Sequence, residues 1–275
     1  MPFNYVSVSA VSDKYQLARI NAIYQKEKFS FPLVIGYQVS NKSINQGVNN
    51  SRQPPFKKLG DLNKRTRDYG FITAIHYYTK DAQTILGDLE KIVNSGVHPM
   101  VSPLQLNTLP LQPNLLIEIK RMGFPIIFKV AVSNKQSPEG GYAIWKGENV
   151  QDVSNGEISP LISQVDERKS IIDYVMFDPS HGTNLELNLD EDSLAVKFGK
   201  GIVENKKLNH LGLVYAGGIK PTNVGALTKS LNFFFPERVS IDTESGVRTN
   251  DKLDLELVKN YLLEYSKVMK KTGMK

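Results

Sequence analysis

LGLVYAGGIKPTNVGALTKSL, Leu211–Leu231, decides the reading of this chain: an apolar run, two adjacent glycines, a proline, then a segment of helical period. Near-continuous apolar character over LGLVYAG suits a strand covered on both faces, as in a parallel sheet. Gly217 and Gly218 follow it directly. With no Cβ in the way, their N–H groups can approach an anion near a helix N-terminus, although a glycine pair in this place also reads as a simple turn. Pro221 suits the first turn of a helix whose Val224, Leu227 and Leu231 share one face.

The unit that follows repeats the pattern. RVSID reads as a strand, and the loop after it, TESGVR, offers the Ser245 hydroxyl and further N–H donors at Ser245 and Gly246. A phosphate site shared by the loops after the last two strands recurs in (β/α)8 barrels, so the two loops together favour phosphate binding over two unrelated turns.

Six more strand-like runs lie upstream: YVSVSAV, FPLVIGYQV, FITAIHYY, PLQLN, PIIFKVAV and DYVMFD. Helical stretches separate them. Leu17, Ile20 and Tyr24 follow a candidate cap at Ser12; Ile85, Leu89, Ile92 and Val93 precede an Asn94-Ser95-Gly96 stop. LQPNLLIEIKRMG ends at Gly123, and Leu255, Val258 and Leu262 form the stripe of a last helix. Eight strands alternating with helices predict a single (β/α)8 barrel over residues 1–275. Two polar stretches, about residues 40–69 and 179–209, exceed ordinary loops, the first being partly helical at its end.

The bulk composition narrows the function classes. The chain has 275 residues and no cysteine, which excludes disulfides, thiolate metal sites and a thiol nucleophile. Its four histidines lack ligand spacing, so no metal is expected. The dinucleotide fingerprint and the P-loop are missing, and no cofactor is expected. Apolar runs fall far short of the roughly 20 residues of a membrane span, and the start lacks a basic segment followed by an apolar one. A cytoplasmic protein, monomer or homodimer, with no membrane or nucleic-acid partner, is the expectation. The formal charge of +6 favours anionic ligands, but the basic residues of FKKLGDLNKRTR, VKFGKGIVENKK and SKVMKKTGMK read as solvated faces, without interleaved aromatics.

YAGGIKPTNVGAL and VSIDTESGVR, with VSVSAVSD at the start, LQLN at 104–107 and VMFDPSHGT at 175–183, resemble the phosphoribosylanthranilate isomerase family of tryptophan biosynthesis, in the family's strand order. The resemblance implies a barrel that isomerises a phosphorylated aminosugar. It makes Gly217, Gly218, Ser245 and Gly246 phosphate ligands, with Asp242 in the same motif, and Gln105 a substrate contact. It also puts Asp178 at the family's catalytic acid. Three segments depart from the pattern. Ser9 and Ala10 stand where the family has its cysteine base and a glycine, and Asn107-Thr108 replace a His-Gly. The substrate arginine after the second strand is absent there, and Arg52, beyond an insertion, is the candidate replacement.

Beside the resemblance, the residues themselves nominate chemistry. Asp178 ends a buried-looking strand facing the barrel mouth, where a carboxyl serves as general acid or as a turn cap through DPSHG. His181 is the nearest histidine able to shuttle a proton. Lys129, inside IIFKVAV, must reach polar surroundings, and suits a phosphate contact or an imine-forming amine. Two other readings stay open: an aldolase- or epimerase-type enzyme using Lys129 or His181, and a non-catalytic barrel that binds a phosphorylated ligand as a sensor or regulator.

Overall fold

The computed structural model describes residues 4–107, 111–133, 142–146, 149–153, 158–179 and 186–271. Eight parallel strands close into a barrel: β1 (Val6–Ser9), β2 (Leu33–Ser40), β3 (Ile72–Tyr78), β4 (Leu104–Leu106), β5 (Ile126–Ser133), β8 (Tyr174–Asp178), β9 (Gly212–Ala216) and β10 (Val239–Thr243). Closure runs through the β4–β5 and β1–β10 pairings. All eight fall on the runs that the sequence marks. Between β5 and β8 an antiparallel hairpin, β6 (Tyr142–Lys146) and β7 (Asn149–Val153), extends the sheet from the end of β5. No run singled out in the sequence anticipates it. A two-residue ribbon, β11 (Arg248–Thr249) with β12 (Lys252–Leu253), follows β10.

Helices α1 (Lys14–Lys26), α3 (Leu59–Asp68), α4 (Ile85–Asn94), α5 (Pro113–Arg121), α6 (Ser159–Asp166), α7 (Leu194–Val203), α8 (Val224–Phe234) and α9 (Leu255–Lys271) form the other layer, with a short α2 (Asn41–Gln46) directly after β2. Two helix starts need correction. The cap of α1 is Asp13, whose carboxylate accepts from the N–H groups of Tyr15 and Gln16, while Ser12 bonds the Gln16 side chain. Pro221 lies in a turn ahead of α8, because Asn223 accepts from the Lys220 N–H and donates to the Gly218 carbonyl, holding residues 218–223 out of the helix. The long stretch from 179 to 209 contains α7, capped by Ser193.

The insertion after β2 is braced at its root. Asp88 of α4, 2 % exposed, accepts from Asn41 Nδ2 (2.7 Å), Asn45 Nδ2 (2.9 Å) and the Tyr77 hydroxyl (2.7 Å), tying α2 to α4 and β3. A buried carboxylate with this many donors is satisfied, and removing it would orphan all three.

Strand pairing sets the barrel interior in levels, with the chain staggered by one residue per strand. The lower interior is apolar, filled by Tyr5, Val34, Ala74, Ile127, Tyr174 and Val214. Above it, register places Gly36, Gln105, Met176 and Asp242 on one level and Ser9, His76, Lys129 and Ala216 on the next. Apart from the buried Ser7 and Ser240, the interior turns polar at the C-terminal ends of the strands, the end where barrels of this kind carry their sites.

Candidate active site at the barrel mouth

An open cleft of about 580 Å³, counting the solvent at its entrance, lies over this polar level. On one side it is walled by Ala216–Ile219 and Asp242–Ser245, on the other by Gln105, Asn107, Lys129 and Asp178, with Arg52 reaching in from the insertion.

The first wall is backbone. Gly217 and Gly218 have φ of 100° and 60°, a region in which an L-residue loses about 1–2 kcal/mol, so the glycines are there for conformation. The Thr243 hydroxyl donates to the Ile219 carbonyl at 2.6 Å and ties this loop to the exit of β10. Ser245 opens a 3₁₀ turn, Ser245–Val247, and Gly246 packs so closely that any Cβ there would collide with the Ile219 carbonyl. Two loops thus meet edge to edge with free peptide groups at their lip.

The second wall is side chain. Lys129 Nζ and Asp178 Oδ2 are 2.5 Å apart, with side chains 18 % and 10 % exposed. β5 and β8 are neighbours, and the two residues stand one level apart on them, so an ammonium and a carboxylate share one proton-rich contact beside the cleft. Gln105 donates to Asn107 Oδ1 at 2.9 Å, leaving its own Oε1 buried and unpartnered.

Ser9 is fully buried. Its hydroxyl donates to Asp242 Oδ1 at 2.6 Å, and Ser7 donates to the same oxygen, so the position where the family resemblance puts a base holds a committed donor. Ala10, at the family's glycine, keeps a φ of 62°, the left-handed conformation that a glycine would adopt without strain. His181 lies outside the described residues.

Arg52 is engaged from both ends. Its guanidinium contacts Glu244 Oε1 at 2.6 Å and Asp251 Oδ1 at 2.6 Å, and Ser51 donates to Asp251 as well. Partial burial alone would lower the Arg52 pKa, but its bonds to Asp251 and Glu244 raise it overall. The bonds from Ser51 and then Arg52 lower that of Asp251. The insertion is therefore strapped across the mouth onto the β10 exit, and the arginine neutralises the carboxylate that precedes Ser245. Behind it, burial first and Arg52 second lower the pKa of Arg248, which donates to the Ala10 carbonyl.

One residue escaped the sequence reading. In the sequence His76 is one of four histidines without ligand spacing, yet register turns it inward on the same level as Ser9 and Lys129. The signal was available in FITAIHYY, where Ile72, Ala74 and His76 share one face and only the last is polar. Gly36 makes the space: a Cβ there would lie 2.5 Å from Ser9 Oγ and 3.0 Å from His76 Nε2. Among the described residues, no group of three or more His, Asp or Glu side chains is arranged to hold a metal, and no helix is long and apolar enough to cross a membrane.

No protein-family model and no curated protein matches the sequence. Solved structures do match the fold along nearly its whole length. N-(5'-phosphoribosyl)anthranilate isomerase from Pyrococcus furiosus aligns at 13 % identity with a TM-score of 0.56, covering 96 % of this chain and 100 % of that one. Phosphoribosyl anthranilate isomerase in complex with reduced 1-(o-carboxyphenylamino)-1-deoxyribulose 5-phosphate aligns at 12 % identity with a TM-score of 0.58, with the same coverage. At such identities the likeness establishes a (β/α)8 fold of the phosphoribosylanthranilate isomerase type, and no more.

Proposed function

We propose that the barrel mouth binds a phosphorylated sugar or a related small molecule and isomerises it, with the phosphate held on the amides of Gly217, Gly218, Ser245 and Gly246 and with Asp178 as the general acid. The observation that carries this reading is a single cleft lined both by the glycine loops and by the Lys129–Asp178 pair. Peptide N–H groups gathered in two glycine-containing loops favour an anion, and the phosphate fixes the rest of the ligand against the acid. Lys129 supplies the proton that Asp178 relays to a ring or carbonyl oxygen as negative charge develops there. That a structural neighbour is in complex with a deoxyribulose 5-phosphate compound supports a ligand of this class.

A second reading is favoured by Ser9. With its hydroxyl donated to Asp242 and no cysteine in the chain, the family's base is gone, as in a barrel that keeps phosphate binding but serves as a sensor. Steady-state turnover of phosphoribosylanthranilate separates the two. The isomerase reading expects turnover that falls at least about 100-fold in kcat in Asp178→Asn with little change in KM. Tight binding of the compound without turnover would establish the non-catalytic reading instead.

A further inference from the structure

We infer that His76 is the proton acceptor of this site, in place of the thiol that the chain lacks. The inference rests on the reading of the mouth as a sugar-phosphate site. A base at the level of Ser9 needs an unshared lone pair, and neither Ser9 nor Lys129 offers one. Ser9 donates to Asp242, and Lys129 is bound to Asp178. His76 is 4 % exposed and has no hydrogen-bond partner among the described residues. An imidazole that the fold itself does not engage is available to a ligand or a reaction.

Its surroundings fit that use. His76 Nε2 and the Ser9 hydroxyl both crowd the side-chain position of Gly36, where a Cβ would lie 3.0 Å and 2.5 Å from them. On the adjacent strand its register partner is Gln105, which lines the cleft with a free acceptor oxygen. Of the other described histidines, His210 bonds the Lys169 carbonyl at 2.9 Å, and His98 precedes the turn Pro99–Val101 that leads into β4, at the opposite end of the strand from Gln105.

The step balances without a co-reactant. In an open-chain aldose phosphate the C2–H bond breaks and its proton passes to His76 Nε2. The C–H electron pair becomes the C1–C2 double bond, and the carbonyl pair moves to O1, which takes a proton from the Lys129–Asp178 pair. Loss of the O2 proton to that pair and return of a proton from His76 to C1 give the ketose. An imidazole brings a nitrogen lone pair to this task for which a serine hydroxyl has no equal.

Ribose 5-phosphate in D2O is the probe. Deuterium at C1 of the ketose, and at C2 of the recovered aldose, is read by mass spectrometry, while amide and imidazole resonances of the labelled protein report binding. The wild-type chain should incorporate deuterium, with the His76 imidazole shifting together with the Gly217 and Gly218 amides. His76→Gln should cut incorporation at least about 100-fold while ribose 5-phosphate affinity stays within about threefold. Equal incorporation by wild type and His76→Gln overturns the assignment. So does an amide response in the wild type with an unmoved His76 imidazole or without deuterium, and in either case phosphate binding stands. Neither amide response nor incorporation removes the sugar-phosphate reading and His76 with it. The wild-type resonances decide the matter even where His76→Gln folds poorly.

Discussion

The exits of β9 and β10 present peptide groups to the cleft, whereas the exits of β4, β5 and β8 present side chains. On the first side the geometry is local: two positive-φ glycines, a serine opening a turn and a glycine that no other residue can replace, each within a few residues of its strand. On the second side, apart from the local Gln105–Asn107 bond, the contacts join distant parts of the chain, as in Lys129 with Asp178, Ser9 with Asp242, and His76 across Gly36 from Ser9. Anchoring a phosphate needs only amides, so it survives sequence change that replaces the reactive side chains around it.

The comparison breaks most visibly at Gly246. Gly246→Ala drives a methyl into the Ile219 carbonyl and forces the two loops apart. We expect roughly a 100-fold loss of ribose 5-phosphate affinity by titration and about 2–3 kcal/mol of stability by denaturant unfolding. Wild-type affinity in this variant would show that the loops act separately.

Arg52 sharpens the boundary between the two sides. Arg52→Gln leaves the Glu244 carboxylate bare beside Ser245, and ribose 5-phosphate should bind about tenfold more weakly. Adding Glu244→Gln to the same chain should recover most of that loss, a non-additivity that a direct Arg52–phosphate contact would not produce. The smallest effect is at Ala10, whose φ of 62° strains an alanine: Ala10→Gly should raise stability by about 1 kcal/mol in denaturant unfolding and leave ligand binding unchanged.

The same division explains what the sequence reveals. Strands announce themselves as apolar runs, and the glycine loops as breaks directly after them. By contrast α7 is hard to see because Gly199 and Gly201 look like breakers. Gly199 instead lets the helix lie against the sheet, where a Cβ would collide with the Tyr215 hydroxyl and the Phe235 ring. The β6–β7 hairpin is concealed because its own strands are short. Lys129 and Asp178 each stand out as polar residues in apolar strands, but their contact depends on β5 pairing with β8 past the hairpin and α6, a long-range fact without a local signature. His76 carries a weaker mark, the parity of its strand, which matters only once the strand is known to be a barrel stave.

The most direct test of a phosphate seat in the mouth is to follow backbone amide resonances while ribose 5-phosphate is added. The account predicts saturable shifts of Gly217, Gly218, Ser245 and Gly246, displaced by excess inorganic phosphate. Shifts confined to lysines of the outer helices, with these four amides unmoved, would contradict it.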